Sequence, residues 1–114
     1  MFYKKGIKMI ENKKQDEKKL PNWLSFNADG EAVIKLLKEV EMNGVKQNQV
    51  IMREPTIGDV RLAKKQGKND EDTEFYLFAS LIGCSPNEVE KFKLKDYSRL
   101  QEGYFRLVRE QNND

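Results

Sequence analysis

The chain has 114 residues, of which 38% are apolar and 35% are charged, so its size suits one small domain with a modest core. It has no histidine and one cysteine, Cys84, which excludes Ser-His-Asp triads, Cys-His dyads, His-ligated metal sites and any intrachain disulfide. No long apolar run and no hydrophobic leader is visible, so we expect a cytoplasmic, non-enzymatic protein with no membrane span, cofactor or metal.

The positive charge is concentrated at the start of the chain. Residues 1–20 hold seven lysines against three acids, whereas residues 21–114 hold fourteen basic and sixteen acidic residues. A slightly acidic body is not expected to bind nucleic acid, which requires a basic face. We predict a flexible Lys-rich arm over residues 1–20, a single domain over 21–110 and a frayed tail over 111–114.

A β-rich segment is predicted to follow the arm. An apolar run at 23–26 leads into a turn at 27–30. Residues 31–42 fit either an amphipathic helix or a strand, but their β-branched residues favour the strand. Asn43-Gly44 follows at once, and this dipeptide is the strongest short hairpin signal. With a returning strand over 45–53, the segment predicts an antiparallel meander of two or three strands.

The sequence leaves the register of this hairpin open. A two-residue turn at Asn43-Gly44 sets Leu36 opposite Ile51, whereas a three-residue loop sets Leu36 opposite Met52 and places Val50 on the same face. One extra residue therefore reverses which side chains of the returning strand face the core.

The stretch MREPTIGDV at 52–60 marks the change from strand to helix. Pro55 has no amide hydrogen and disfavours helical geometry at the residue before it, so the strand must end here. Thr56 can then accept a hydrogen bond from the amide of Asp59, whose carboxylate suits the positive end of a helix. We predict a structural junction formed by Pro55, Thr56, Gly58 and Asp59.

The second half of the chain carries helical spacing with clear start and stop signals. Gly67 and Gly83 are placed to end the first two helices. The fold class is therefore α+β, a meander followed by three to four short helices. The first predicted helix covers Ile57–Gln66, and the second follows the acidic linker 69–72 and runs to about Ile82. The third begins at Ser85-Pro86 and includes Phe92, and the last runs from an Asp96 cap to Val108.

Three segments together, EVEMNGVKQNQVIM, REPTIGDVRLAKK and EFYLFASLIGCSPNEVEKFKLKDYSRLQ, resemble the phage tail assembly chaperone family of the Mu type, found in contractile-tailed phages and prophages. The resemblance covers residues 23–108, and the Lys-rich first 20 residues depart from it. The shared features are the Asn-Gly turn, the junction from Arg53 to Asp59, a Leu-x-Gly helix end at 81–83, a helix that begins at Pro86, and Asp96-Tyr97 with Leu100-Gln101.

This resemblance implies a non-enzymatic protein that keeps the tape-measure protein soluble, helps recruit the tail-tube protein, and is absent from the mature virion. We expect apolar helices of the partner to dock on apolar side chains of the second and last helices, which carry more apolar width than one core-facing stripe uses. Because these helices carry this additional apolar surface, we also expect a homo-oligomer. The candidate contacts are Tyr76, Leu77, Tyr97, Tyr104 and Phe105.

Two other classes of protein fit the sequence less well. Residues 78–94 also fit a helix-turn-helix regulator, but the recognition helix would begin with Glu88 and Glu90, which is poor electrostatics for DNA. An enzyme is disfavoured because the acids at 70–72 are explained by a helix start, and Cys84 has no histidine to act as its base.

Overall fold

The computed structural model describes residues 19–110, and it confirms the predicted α+β fold. The predicted tail, 111–114, and all but the last two residues of the predicted arm lie outside the described residues. The elements are β1 (Leu24–Phe26), β2 (Ala32–Met42), β3 (Val45–Met52), α1 (Ile57–Gln66), α2 (Asp70–Ile82), α3 (Pro86–Val89) and α4 (Leu94–Val108).

The three strands form an antiparallel meander in the order β1-β2-β3, and helices cover one of its faces. Alternate residues of each strand point into the core, where they meet the buried faces of α2 and α4. On the opposite face, Val33 pairs with Ile51, whose side chain is exposed. The largest fully buried apolar side chains are Phe78, Ile34, Met52, Leu77, Leu100 and Val89.

The hairpin has a two-residue turn, but neither of the two predicted registers holds along its whole length. Met42 pairs with Val45 across Asn43 and Gly44, which both have positive φ (54° and 79°), as a type I′ turn requires. Further along, the ladder shifts between Lys35 and Val40. Beyond that irregularity Ile34 pairs with Val50 and Ala32 with Met52, so Leu36 lies inside a bulge and faces neither predicted partner.

The core side of the bulge is held by Asp96 of α4. Its carboxylate accepts hydrogen bonds from the amides of Leu37 (2.7 Å) and Lys38 (3.0 Å), and its own side chain is only 1% exposed. The prediction that Asp96 caps α4 is therefore wrong. The N-cap is Lys93, which makes no side-chain capping bond, while Asp96 sits within the first turn and binds the sheet instead.

The other helix ends follow the local signals of the sequence. Thr56 and Ser85 each form a capping box, with Asp59 and Glu88 respectively, and Asn69 caps α2 through the amide of Asp72. Gly83 ends α2 in the left-handed conformation at φ 81°, where a residue with a Cβ is strained. Local hydrogen-bonding chemistry therefore accounts for the helix boundaries.

Helix α4 approaches the sheet closely at Gly103. A Cβ at this position would lie 2.6 Å from Cδ1 of Ile34 and 3.2 Å from its Cγ1. Since Ile34 is fully buried, it has little room to move aside. Gly103 is thus required by packing, although it lies in the middle of a helix, where glycine is intrinsically unfavourable.

Candidate partner-binding surface

The junction between β3 and α1 is built around Arg53. Its guanidinium forms a two-point ion pair with Asp59, at 2.9 and 3.1 Å, and a further hydrogen bond to the Ser80 hydroxyl of α2 at 3.2 Å. The amide of Arg53 also donates to the carbonyl of Leu81 at 3.1 Å. Arg53 therefore connects the end of β3 to the first turn of α1 and to the side of α2.

Asp59 serves both the ion pair and the helix cap. Its carboxylate accepts from Arg53 and from the amide of Thr56 (2.8 Å), and together these bonds lower its pKa from 3.8 to about 2. Pro55 is half-buried just before the cap. Gly58 has room for a side chain, because a Cβ there would meet only the Thr56 hydroxyl at an ordinary 3.6 Å. The hydrogen bonds of Thr56 and Asp59 hold the turn from strand to helix. No contact in the described structure requires a glycine at position 58.

Two of the five predicted partner contacts lie in the core. Leu77 is 0% exposed and Tyr104 is 8% exposed, so neither side chain is available on the surface of this conformation. Tyr104 packs on Phe78 with ring centroids 5.4 Å apart. The apolar width of α2 is used for packing, because this helix contacts α1, α3 and the sheet and joins α4 through aromatic rings.

Tyr97 is half-buried and belongs to a polar cluster between α2 and α4. Its ring packs edge-on against Phe75 at 5.6 Å, and its hydroxyl donates to the buried carboxylate of Glu74. Gln101 donates to the same carboxylate at 3.0 Å. Burial and the bond to Glu74 raise the pKa of Tyr97 well above its usual value, and burial raises that of Tyr104. Both groups are therefore neutral phenols at physiological pH, and Tyr97 acts as a packing and donor group.

Tyr76 and Phe105 remain partly accessible, one on α2 and one on α4. The guanidinium of Arg109 lies over the ring of Phe105, 5.0 Å from its centroid. Of the five predicted contacts, these two and Tyr97 are the ones that the fold leaves within reach of a partner.

The structure also exposes large apolar side chains that sequence reasoning did not select. Leu94 at the start of α4 is 85% exposed, Ile57 at the start of α1 is 80% exposed, and Leu37 in the bulge is 55% exposed. Ile57 and Leu94 are the first residues of their helices and Leu37 lies within the bulge, where helical or strand periodicity does not report which way a side chain points. The only available signal was an apolar residue placed between lysines, as in Lys93-Leu94-Lys95.

The hairpin tip docks on the turn between α2 and α3. The amide of Asn43 donates to Glu88 at 2.8 Å, and its side-chain amide donates to the carbonyl of Gly83 at 2.9 Å. The hydrogen bonds that the amides of Asn43 and Ser85 donate to Glu88 lower the pKa of its carboxylate. Cys84 lies in the same turn, and burial, with a smaller contribution from Glu88, raises its pKa from 9.0 to about 12. A thiol held neutral in this way is a poor nucleophile.

The helix-turn-helix interpretation fails on helix length. The segment that would read DNA is α3, which spans only the four residues Pro86–Val89 and has Val89 buried. One helical turn is too short to lie along a major groove and present several side chains to base edges.

Within residues 19–110, no cluster of His, Cys, Asp or Glu side chains has the arrangement of a metal site. No helix in that range has both the length and the apolar character needed to cross a membrane.

Fold and surface together define a small α+β protein, a three-stranded meander with helices on one face and several large apolar side chains exposed on its surface. A family model described as "phage tail assembly chaperone proteins, E, or 41 or 14" matches residues 33–109. The chain therefore belongs to the phage tail assembly chaperone family, which confirms the resemblance found in its sequence. Neither a curated protein nor a solved structure gives a significant match.

Proposed function

We propose that this chaperone binds the tape-measure protein of its phage and keeps it soluble during tail assembly, without catalysing a reaction. The family match over residues 33–109 is the observation that carries the proposal, because it assigns a tail assembly role to most of the described chain. The tape-measure protein is long, helical and rich in apolar surface, so it requires a protein that shields that surface until the tube subunits arrive. The chaperone then acts in the host cytoplasm and leaves before the virion is complete.

The mechanism is reversible docking of apolar partner helices on accessible apolar side chains. Burying one large apolar side chain contributes about 1.5–3 kcal/mol, so a few such contacts give binding that is useful yet reversible. Tyr76, Tyr97 and Phe105 are the contacts we retain from the sequence, and Ile57 adds an exposed side chain on α1. Leu77 and Tyr104 are buried, so they are not among these contacts.

A chaperone that hands its client to the tube must also meet the tail-tube protein, and a wide apolar surface favours self-association. We therefore include tail-tube binding and a homo-oligomer in the proposal. Both follow from the same surface, since the side chains that shield a client helix can also contact a second copy or an incoming tube subunit.

Co-expression with the tape-measure protein tests the proposal. We expect the wild-type chain to move the tape-measure protein from the insoluble to the soluble fraction and to co-purify with it. Phe105→Asp should weaken both effects, because it places a charge where the partner's apolar helix would lie. Asn87→Asp is the matched control, since it adds the same charge to an exposed polar position of another helix, α3.

Circular dichroism of both variants separates loss of binding from loss of fold. The proposal fails if the wild-type chain neither solubilises nor retains the tape-measure protein. The surface assignment alone fails if the two folded variants behave alike.

A further inference from the structure

The bulge of β2 and the start of α4 form one surface, which we name the basic corner and define as residues 35–39 with 93–99. Asp96 fixes its centre through the amides of Leu37 and Lys38, at 2.7 and 3.0 Å. One turn further along α4, Arg99 donates to the carbonyl of Lys35 at 2.8 Å, and its guanidinium lies 4.8 Å from the centre of the Trp23 ring. The backbone of the bulge is therefore held against the helix at two points.

Two leucines project from this corner into solvent. Leu37 is 55% exposed and Leu94 is 85% exposed, and they flank the buried carboxylate of Asp96 on the strand side and the helix side. Burial of such a side chain is favourable, so the two exposed leucines are available to stabilise a complex.

Lysines surround the two leucines. The corner contains five of the fourteen basic residues of the segment 21–114 but only two of its sixteen acids, so nine basic and fourteen acidic residues remain elsewhere in that segment. One of the two acids, Asp96, already bonds to backbone amides. Among the described residues, no carboxylate lies within ion-pair distance of the corner's lysines, which are Lys35, Lys38, Lys93 and Lys95.

We propose that the basic corner docks an acidic segment of a partner protein, with an apolar side chain of that segment placed on Leu37 and Leu94 and its carboxylates paired with the surrounding lysines. This inference rests on the proposed function, in which the partner is the tape-measure protein. The remainder of the chaperone body carries nine basic and fourteen acidic residues, and this net negative charge helps to orient such a segment towards the corner.

Charge and apolarity together favour a protein segment over the other polyanions. A nucleic acid backbone would place phosphates against two leucines and gain nothing from them. An anionic membrane surface would bring its charge close to the acidic remainder of the body, and two leucines offer little area for insertion. A protein segment with mixed acidic and apolar side chains satisfies both features of the corner.

The probe for the test is a short synthetic amphipathic helix with leucines flanked by glutamates, labelled for fluorescence anisotropy, together with its Glu→Gln counterpart. We expect the acidic peptide to bind the full chain, and binding to weaken as salt rises. The double variant Lys93→Glu, Lys95→Glu should weaken binding about tenfold or more, and Leu94→Ser should weaken it at every salt concentration. The Glu→Gln peptide should bind less well than the acidic one.

The matched control is the double variant Lys64→Glu, Lys65→Glu, which makes the same charge change on exposed positions of α1. Both double variants should fold, and the corner variant places acids at a helix start, where they are favourable. Equal weakening by the two variants would overturn the proposal, because it would show a response to net charge alone. Absence of peptide binding, or tighter binding to phosphatidylglycerol vesicles or a DNA duplex than to the peptide, would also overturn it.

Co-expression separates this proposal from the proposed function. If wild type and the corner variant Lys93→Glu, Lys95→Glu solubilise the tape-measure protein equally well, the chaperone role stands and the basic corner is refuted as its docking site. If wild type does not solubilise it, the proposed function fails whatever the peptide does. We expect wild type to solubilise the tape-measure protein and the corner variant to do so poorly.

Discussion

Asp96 provides the sharpest test of how the sheet and the last helix are joined. Its buried carboxylate holds two consecutive amides of the β2 bulge, and neither Leu37 nor Lys38 is paired with a residue of β3. Asp96→Asn keeps the shape of the side chain but replaces one acceptor oxygen with an NH2 group that points its own hydrogens at a donor. We therefore expect this nearly isosteric change to destabilise the fold strongly.

The size of the effect follows from the two bonds. A hydrogen bond to a charged group contributes about 1.5–3 kcal/mol, and an amide left unsatisfied costs about 1–3 kcal/mol. Because the bulge is only part-buried, water can reach a released amide and the lower part of these ranges applies. We expect Asp96→Asn to lower the free energy of unfolding by about 2 kcal/mol and Asp96→Ala by about 3 kcal/mol, out of about 5–15 kcal/mol for a small domain.

Urea unfolding at neutral pH measures this loss, which corresponds to a fall of about 1–2 M in the midpoint. Asp70→Asn is the control, because Asp70 also lies in the first turn of a helix but is exposed, so its substitution reports the helix-dipole contribution alone. Hydrogen exchange should show faster loss of protection at the amides of Leu37 and Lys38 in the Asp96 variant. If Asp96→Asn and Asp70→Asn cost the same, the carboxylate does not hold the bulge and the reasoning is refuted.

Three further predictions concern packing, pH and thiol chemistry. Gly103→Ala should destabilise the wild-type fold by about 1 kcal/mol in thermal unfolding, since overpacking against Ile34 exceeds the gain in helix propensity. In an Ile34→Val background, which lacks Cδ1, the same change should be neutral or stabilising. Equal effects in both backgrounds would contradict the packing argument. The ion pair of Arg53 with Asp59 should stabilise the fold by about 1 kcal/mol above pH 4 and lose that contribution as pH falls towards 2, because the folded pKa of Asp59 is lowered from 3.8 to about 2. The difference in free energy of unfolding between wild type and Arg53→Ala should therefore shrink over that pH range. A difference independent of pH would refute the assignment. Cys84, with its pKa raised to about 12, should react with iodoacetamide at pH 8 more than about 100-fold more slowly in the folded chain than in urea, and comparable rates would show that the thiol is not shielded.

Local chemistry made most of the fold predictable. The Asn-Gly turn, the Pro-Thr junction and the Ser-Pro-Asn-Glu helix start each carry a hydrogen-bonding reason that operates within a few residues, so the hairpin tip and the helix starts at α1 and α3 agree with the sequence. Glycine at 83 has the left-handed conformation expected of a helix end.

Contacts between distant parts of the chain were not predictable in the same way. The bulge at 36–39 shifts the register of the hairpin, and its partner Asp96 lies almost 60 residues further along the chain. No periodicity in either segment indicates such a pairing. The residues next to Asp96 predict only a helix cap. Gly103 likewise gains its meaning only from Ile34 on the opposing strand.

The candidate surface was the least predictable part. A wide apolar face on α2 predicts either a partner surface or burial on several sides, and the structure shows burial at Leu77. Of the accessible leucines, Leu37 lies in the bulge of β2 and Leu94 at the start of α4, where neither helical nor strand spacing applies. Which of these residues bind a partner stays a prediction that depends on the experiments above.

The mass of the soluble complex formed on co-expression with the tape-measure protein is the most direct test of the chaperone role. Size-exclusion chromatography with light scattering on the co-purified material should show one species that contains both chains. It should also give the number of chaperone copies per client, and so determine whether the chaperone binds as an oligomer. A chaperone that elutes alone at its own mass, while the tape-measure protein stays in the pellet, would contradict the account.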